Sequence, residues 1–281
     1  MIISASRRTD IPAYYGAWFM ERLRAGFCDT INPYDPAKKR HISLKREEVD
    51  CIAFWTRYPA GLFPFLDELS GLGYPYYFLY TLLDYPPIFE PHTPVFNNRL
   101  RLFRELANKI GSGKVIWRYD PIILTSKTGT VFHLQTFDRL ARLLEGYTKR
   151  VIISFYDPYR KTEKRIKILE KNGYILLRKV DSGETEVAFL QELARIAALR
   201  GMEITSCAEE NSPEQCGIIP GSCIDADLIL REFGIPIPYK KDPGQRKHCR
   251  CVISADIGSY NTCFTGCAYC YATSEHPRKL R

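Results

Sequence analysis

The chain has 281 residues, 45% of them hydrophobic and 26% charged, with 40 Lys and Arg against 32 Asp and Glu for a net charge of +8. This composition excludes the disordered and fibrous classes, and the charge permits a nucleic-acid partner without requiring one. The longest uncharged run, Ile257 to Ser274, is rich in Asn, Thr, Ser, Gly and Cys, so it is no membrane span, which needs about 20 mainly apolar residues.

The opening Met1-Ile2-Ile3-Ser4-Ala5-Ser6-Arg7-Arg8 has no basic lead-in followed by an apolar stretch, so no signal peptide and a cytoplasmic location are expected. Ile2–Ser6 reads as the first strand. Ala13–Ala25 reads as a helix, with Trp18, Phe19 and Leu23 at helical spacing. Phe27–Leu44 reads as an irregular insertion, with Asn32-Pro33 and Asp35-Pro36 as turn signals. Cys51–Thr56 and Tyr76–Thr81 are near-continuous apolar or aromatic runs, the pattern of parallel strands covered on both faces. Val95–Ile110 is a helix, and Gly111-Ser112-Gly113-Lys114 stops it. That glycine run lies between a helix and a strand, the reverse of a phosphate loop. Val115–Tyr119 and Arg150–Phe155 are strands on either side of a helix over Phe132–Leu144. Lys161–Lys171 is a short basic helix, Glu186–Leu199 a longer one, and Glu203–Cys207 a sixth strand. Beyond Gly217 only Asp225–Phe233 reads as helical.

Strands alternating with helices predict an α/β fold built on a parallel sheet, open or partly closed. The specific expectation is a partial (β/α)6 TIM-like barrel over residues 1–216. Residues 217–281 would be a cysteine-rich tail, packed over the barrel mouth and unable to fold alone.

Function in such folds collects at the carboxyl ends of the strands. There the sequence places Ser6-Arg7-Arg8-Thr9-Asp10, Trp55-Thr56-Arg57, Trp117-Arg118-Tyr119-Asp120-Pro121, Tyr156-Asp157 and Cys207-Ala208-Glu209. Guanidinium groups, carboxylates and hydroxyls around one mouth predict a binding cleft. The competing reading is that Asp10, Asp120 and Asp157 only cap helices or turns.

Eight of ten cysteines lie in the last 75 residues. In a reducing compartment, clustered thiols indicate metal ligands before disulfides. Cys263, Cys267 and Cys270 form a Cys-x3-Cys-x2-Cys run, which can wrap one iron–sulfur cluster and leave a coordination position open. The alternative is structural zinc completed by His248 or His276. Cys249 and Cys251, with Cys207 and Cys223, offer a second set, in which Cys216 competes with Cys223. Plain buried thiols are the alternative there, as expected of Cys28 and Cys51. No Gly-x-Gly-x-x-Gly follows a strand, so a nicotinamide or flavin Rossmann site is not expected. Five scattered histidines are too few for a His-rich metallohydrolase, and His133 reads as an ordinary helix residue.

Ile3-Ser4-Ala5-Ser6-Arg7-Arg8-Thr9-Asp10-Ile11-Pro12, Phe54-Trp55-Thr56, Trp117-Arg118-Tyr119-Asp120-Pro121, Ser206-Cys207-Ala208-Glu209 and the tail from Asp256 through Ala272 together resemble the bacterial domain-of-unknown-function family 1848. That resemblance brings no activity. The segment Tyr260-Asn261-Thr262-Cys263, followed by Gly266-Cys267-Ala268-Tyr269-Cys270-Tyr271-Ala272, also resembles the cluster loop of radical S-adenosylmethionine enzymes, especially the spore-photoproduct-lyase-like group. This second resemblance implies a [4Fe–4S] cluster on Cys263, Cys267 and Cys270. It also implies S-adenosylmethionine on the fourth iron, a 5′-deoxyadenosyl radical, and Tyr269 as the aromatic beside the last ligand. Two departures stand out. In those enzymes the loop follows the first barrel strand, whereas here it ends the chain, and the Gly-Gly-Glu-type cofactor contact has no counterpart, since no Gly-Gly pair occurs.

The resulting expectation is an iron–sulfur enzyme with a second cluster on Cys207, Cys223, Cys249 and Cys251. Arg7, Arg8, Thr9, Trp55 and Tyr269 are candidate cofactor contacts, and Arg118, Asp120, Asp10 and Glu209 candidate catalytic residues. Its partners would be a small-molecule or nucleic-acid substrate and an electron donor such as ferredoxin or flavodoxin, with no membrane. A rival reading is a non-catalytic nucleic-acid-binding module, with Tyr156-Asp157-Pro158-Tyr159-Arg160-Lys161 contacting phosphates and bases. A third is a hydrolase using Asp120, Asp157 or Glu209, which leaves the cysteines unexplained.

Overall fold

A strand covered on both faces needs apolar side chains at successive positions, and six such runs form the middle of the sheet. The computed structural model describes residues 1–32, 35–177, 183–209, 213–273 and 277–280. Its elements run β1 (Ile2–Ala5), α1 (Ile11–Tyr14), α2 (Gly16–Ala25), β2 (Phe27–Asn32), β3 (Asp35–Ser43), β4 (Cys51–Thr56), α3 (Leu66–Gly71), β5 (Tyr76–Thr81) and α4 (Phe96–Ile110). They continue with β6 (Val115–Ile122), α5 (Thr130–Leu144), β7 (Arg150–Phe155), α6 (Glu163–Lys171), α7 (Gly183–Leu199), β8 (Glu203–Cys207), β9 (Ile219–Gly221), α8 (Ala226–Phe233) and β10 (Ala255–Asp256).

Eight strands form one sheet in the order β10-β1-β4-β5-β6-β7-β8-β9, and every pairing in it is parallel. The fold is therefore α/β with a large parallel sheet. The sheet is not a closed barrel. β9 and β10 stand at opposite ends of the strand order, and among the described residues no pairing joins them into a closed barrel.

Two expectations are corrected. The span Phe27–Leu44 is not irregular: β2 and β3 pair antiparallel as a separate hairpin. Its second strand, DPAKKRHIS, has no apolar alternation to betray it. The tail is also less loop-like than its sequence suggests, because β9 and β10 extend the sheet at both edges. Strands of three and two residues are too short to show a period.

Alternate side chains along the strands feed two cores, as the period of two requires. Ile52, Phe54, Phe78 and Trp117 point to the helix-covered face. Cys51, Ala53, Tyr77 and Ile116 point to the other, where they meet Ile224, Leu228, Ile229 and Val252 of the tail. A buried ion pair pins this second layer: Arg150 at the start of β7 pairs with Asp225, which caps α8 by accepting from Asp227 N at 2.9 Å. His133 is an ordinary core residue. Its ring sits between the Tyr119 hydroxyl at 2.8 Å and the Ile123 carbonyl at 3.1 Å, and burial lowers its pKa to about 4. Gly111 ends α4 at φ 99°, as the helix-stop reading requires. Among the described residues no helix is long and apolar enough to cross a membrane.

Candidate functional site

The carboxyl end of β1 is tied to the tail by one carboxylate. Asp256 of β10 accepts from Ser4 Oγ at 2.8 Å, Ser6 Oγ at 2.7 Å and the Arg7 backbone N–H at 2.9 Å. The Arg7 side chain then lies over the Trp55 ring at 4.9 Å, with Nη2 buried and without a hydrogen-bond partner. Burial works against the Arg7 charge, but Cys251, Asp256 and Cys223 outweigh it and hold the guanidinium above its ordinary pKa. Arg8 stacks over Tyr260 at 5.2 Å, and Thr9 is buried with its hydroxyl unpartnered.

The carboxylates divide. Asp10 takes the capping role: one oxygen accepts from Ala13 N at 3.0 Å and the other from Arg57 N at 2.8 Å, while burial raises its pKa to about 6. Asp120 pairs with Arg118, whose Nε is buried and unpartnered, and Asp157 pairs with Arg246. Glu209 accepts from Phe155 N at 3.0 Å, and burial pushes its pKa up to about 7.

Four cysteines from three distant segments meet on the tail-covered face. Cys207 Sγ lies 3.6 Å from Cys223 Sγ, Cys223 contacts Cys251, and Cys251 contacts Cys249. The structure thus brings Cys223 to this group. Cys216 instead joins the helix-side core with Ile218. Within the chain of contacts, neighbouring sulfurs push Cys207 and Cys251 below the ordinary thiol pKa and Cys223 and Cys249 above it, as donor and acceptor must differ. Cys251 Sγ also accepts from Ile224 N at 3.3 Å. Arg7 and Arg118 both feel Cys223, and Arg118 and Arg246 both feel Cys207.

Cys263, Cys267 and Cys270 occupy a separate loop at the strand ends. The loop is fastened by Ala268 N to Phe89 O at 2.9 Å and by the Tyr271 hydroxyl to Arg7 O at 3.1 Å. Cys263 Sγ lies 3.2 Å from Thr265 Oγ1, and Cys270 Sγ accepts from Ala272 N at 3.3 Å. Burial raises the Cys267 thiol, and Arg57 opposes the shift. Tyr269 hydrogen-bonds Arg57 and Glu90. The sequence singled out neither Arg57 nor Glu90 as a functional residue. Only its position after β4 marked Arg57, and Glu90 lies in a connection without a motif. Tyr271 feels Cys270, Arg7 and Arg118, and so stands between the two cysteine groups.

The loop's seat on β1 is tight at Gly258, where a Cβ would fall 2.0 Å from Ser6 Oγ and 3.2 Å from Thr9 Cγ2. Gly258→Ala must push tail and strand apart. It should lower unfolding stability by about 1–3 kcal/mol, read as a reduced urea midpoint at unchanged slope. An unchanged midpoint would show that the tail is not seated there.

The segment proposed to contact nucleic acid is engaged with the tail: Tyr159 packs on Tyr271 at 5.4 Å, Lys161 lies 4.7 Å from the Tyr260 ring, and Asp157 holds Arg246. A cavity of about 400 Å³ opens beside β8 and β9, lined by Ser206, Glu209, Lys241, Lys247, Cys249 and Arg250 among others. His276, one of two histidines considered for zinc, lies outside the described residues.

Among the described residues, no group of three or more His, Cys, Asp or Glu side chains stands in a geometry that would hold a metal ion. The chemistry of the donor sets still fits an iron–sulfur group. Both are all-thiol, sulfurs in both accept backbone N–H bonds, and buried guanidinium groups flank both to balance thiolate charge. No curated protein and no solved structure matches the chain. Residues 2–272 match the family described as Domain of unknown function (DUF1848), and with nearly its whole length inside that match the chain belongs to this family.

Proposed function

We propose that this protein is an iron–sulfur enzyme of the radical S-adenosylmethionine kind. One [4Fe–4S] cluster would sit on Cys263, Cys267 and Cys270, and a second on Cys207, Cys223, Cys249 and Cys251. The observation that supports the proposal is the contact in series of Cys207, Cys223, Cys251 and Cys249 on the tail-covered face, with Cys263, Cys267 and Cys270 influencing one another in the loop at the strand ends. Buried arginines stand beside both sets.

The strand order supports the reading at one departure from the resemblance. β10 pairs with β1 on the side away from β4, so in space the loop after β10 follows the strand that precedes β1. The remaining strands then run in the sequence order of a barrel wall, left open between β9 and β10. The missing Gly-Gly contact has a candidate replacement in Arg7 and Arg118. Their buried, unpartnered N–H groups suit an anionic carboxylate.

When bound, S-adenosylmethionine and its cluster supply a radical, and the protein's part is to position the substrate and exclude water. The cations Lys241, Lys247 and Arg250 at the cavity favour a small anionic substrate. Anaerobic reconstitution tests the reading. It should yield brown protein with about eight irons per chain, which releases 5′-deoxyadenosine from S-adenosylmethionine and dithionite. Colourless protein with stoichiometric zinc would replace it with a structural metal tail. Metal-free active protein would favour a hydrolase.

A further inference from the structure

One buried ion network sits directly under the three-cysteine loop. Glu90, 3% exposed, receives Arg57 Nη1 at 2.6 Å on one oxygen and Arg99 Nη1 at 3.4 Å on the other. Arg57 and Arg99 are themselves 14% and 6% exposed. Two guanidinium groups thus share one carboxylate, and the trio carries one net positive charge. Asp10 is the other acid close to Arg57, but the backbone N–H groups of Ala13 and Arg57 occupy its oxygens.

The second Arg57 nitrogen, Nη2, turns to the Tyr269 hydroxyl, and the guanidinium also lies 5.3 Å from that ring. Tyr269 hydrogen-bonds Glu90 in turn, and the neighbouring Ala268 is pinned to Phe89. The network therefore grips the loop between Cys267 and Cys270. Burial weakens the Arg57 charge, while Cys267, Glu90, Tyr269 and Cys270 restore it, with Cys267 the strongest of them.

Burying ions beneath a loop is costly and often adds little net stability, so the placement of these charges under the thiols points to a use beyond holding the fold. We infer that Arg57, oriented by Glu90, is a positioning residue that sets the reduction potential of the group held by Cys263, Cys267 and Cys270. The inference rests on the cluster reading above. In a dry site a fixed positive charge favours the reduced, more negative state of its neighbour, and a fixed negative charge opposes it.

Removing either partner would break the same ion pair, so a purely structural role predicts similar damage from both. An electrostatic role predicts shifts of opposite sign. The test uses full-length, anaerobically reconstituted protein and follows the electron paramagnetic resonance signal that disappears when Cys263, Cys267 and Cys270 are all replaced by Ala. Arg57→Met should make this group harder to reduce by at least tenfold in the reduction equilibrium, a downward shift of 59 mV for one electron. Glu90→Gln should shift its potential upward by a similar amount, and Arg57→Lys, which keeps the charge, should stay close to the parent.

Shifts of the same sign, or no shift with the signal intact, would overturn the inference and leave the cluster reading standing. Absence of the signal from the parent protein would remove both. If Arg57→Met does not assemble, Glu90→Gln decides alone: a rise supports the assignment and no rise ends it.

Discussion

Replacing Cys263, Cys267 and Cys270 together by Ala should leave about four of eight irons after reconstitution, because the two thiol groups are separate. Cys207, Cys223, Cys251 and Cys249 touch one another in series, within reach of Arg7 and Arg118. The other three influence one another and Arg57. The complementary variant, with the four replaced, should keep the remaining four irons and lose the rest. Cys216→Ala should change nothing in the iron count, since Cys216 packs in the helix-side core. Elemental analysis with acid-labile sulfide checks all three. Complete loss of iron in the triple variant would mean a single shared site and would sink the two-cluster reading.

The reason for expecting two sites was partly legible in the chain itself. Cys263, Cys267 and Cys270 fall within eight residues, so a loop must bring them close whatever the fold. Cys207, Cys223, Cys249 and Cys251 span 45 residues, and only the sheet decides that Cys223 rather than Cys216 reaches Cys207. The six central strands were readable because Cys51–Thr56 and Tyr76–Thr81 are buried at every position, which demands an unbroken apolar run. β3 was hidden because its solvent-facing positions carry Lys39, Arg40 and His41. β9 and β10 were hidden because a partner strand and not their own composition defines them. The same logic explains the site. Asp10 stood out with Asp120 and Asp157 as an acid after a strand, and its capping role was already weighed. Glu90 was missed because its meaning lies in Arg57 and Arg99, 33 and 9 residues away.

A chain cut after Cys216 should fail to fold cooperatively. The tail's own sequence lacks enough periodic apolar positions for a separate core, so its apolar residues must serve the sheet. Ile224, Leu228, Ile229 and Val252 are at most 4% exposed and close the face that carries Cys51, Ala53, Tyr77 and Ile116. Burying four such side chains contributes about 6–12 kcal/mol, comparable with the about 5–15 kcal/mol that holds a typical domain together. The cut also leaves Arg150 without Asp225. Arg150, 8% exposed at its side chain, then keeps Glu203 at 3.2 Å but loses its buried partner, so its charge is less well compensated. Finally, it strips β10 from β1 and β9 from β8, opening both sheet edges to aggregation. Residues 1–216 should therefore show dye-binding hydrophobic surface, no sharp thermal transition and a tendency to associate. Asp225→Ala in the full chain, which removes the Arg150 ion pair and the α8 cap but keeps the tail, should melt cooperatively at a lower temperature. A truncated chain that unfolds in one sharp step near the full-length midpoint would make the tail a dispensable appendage.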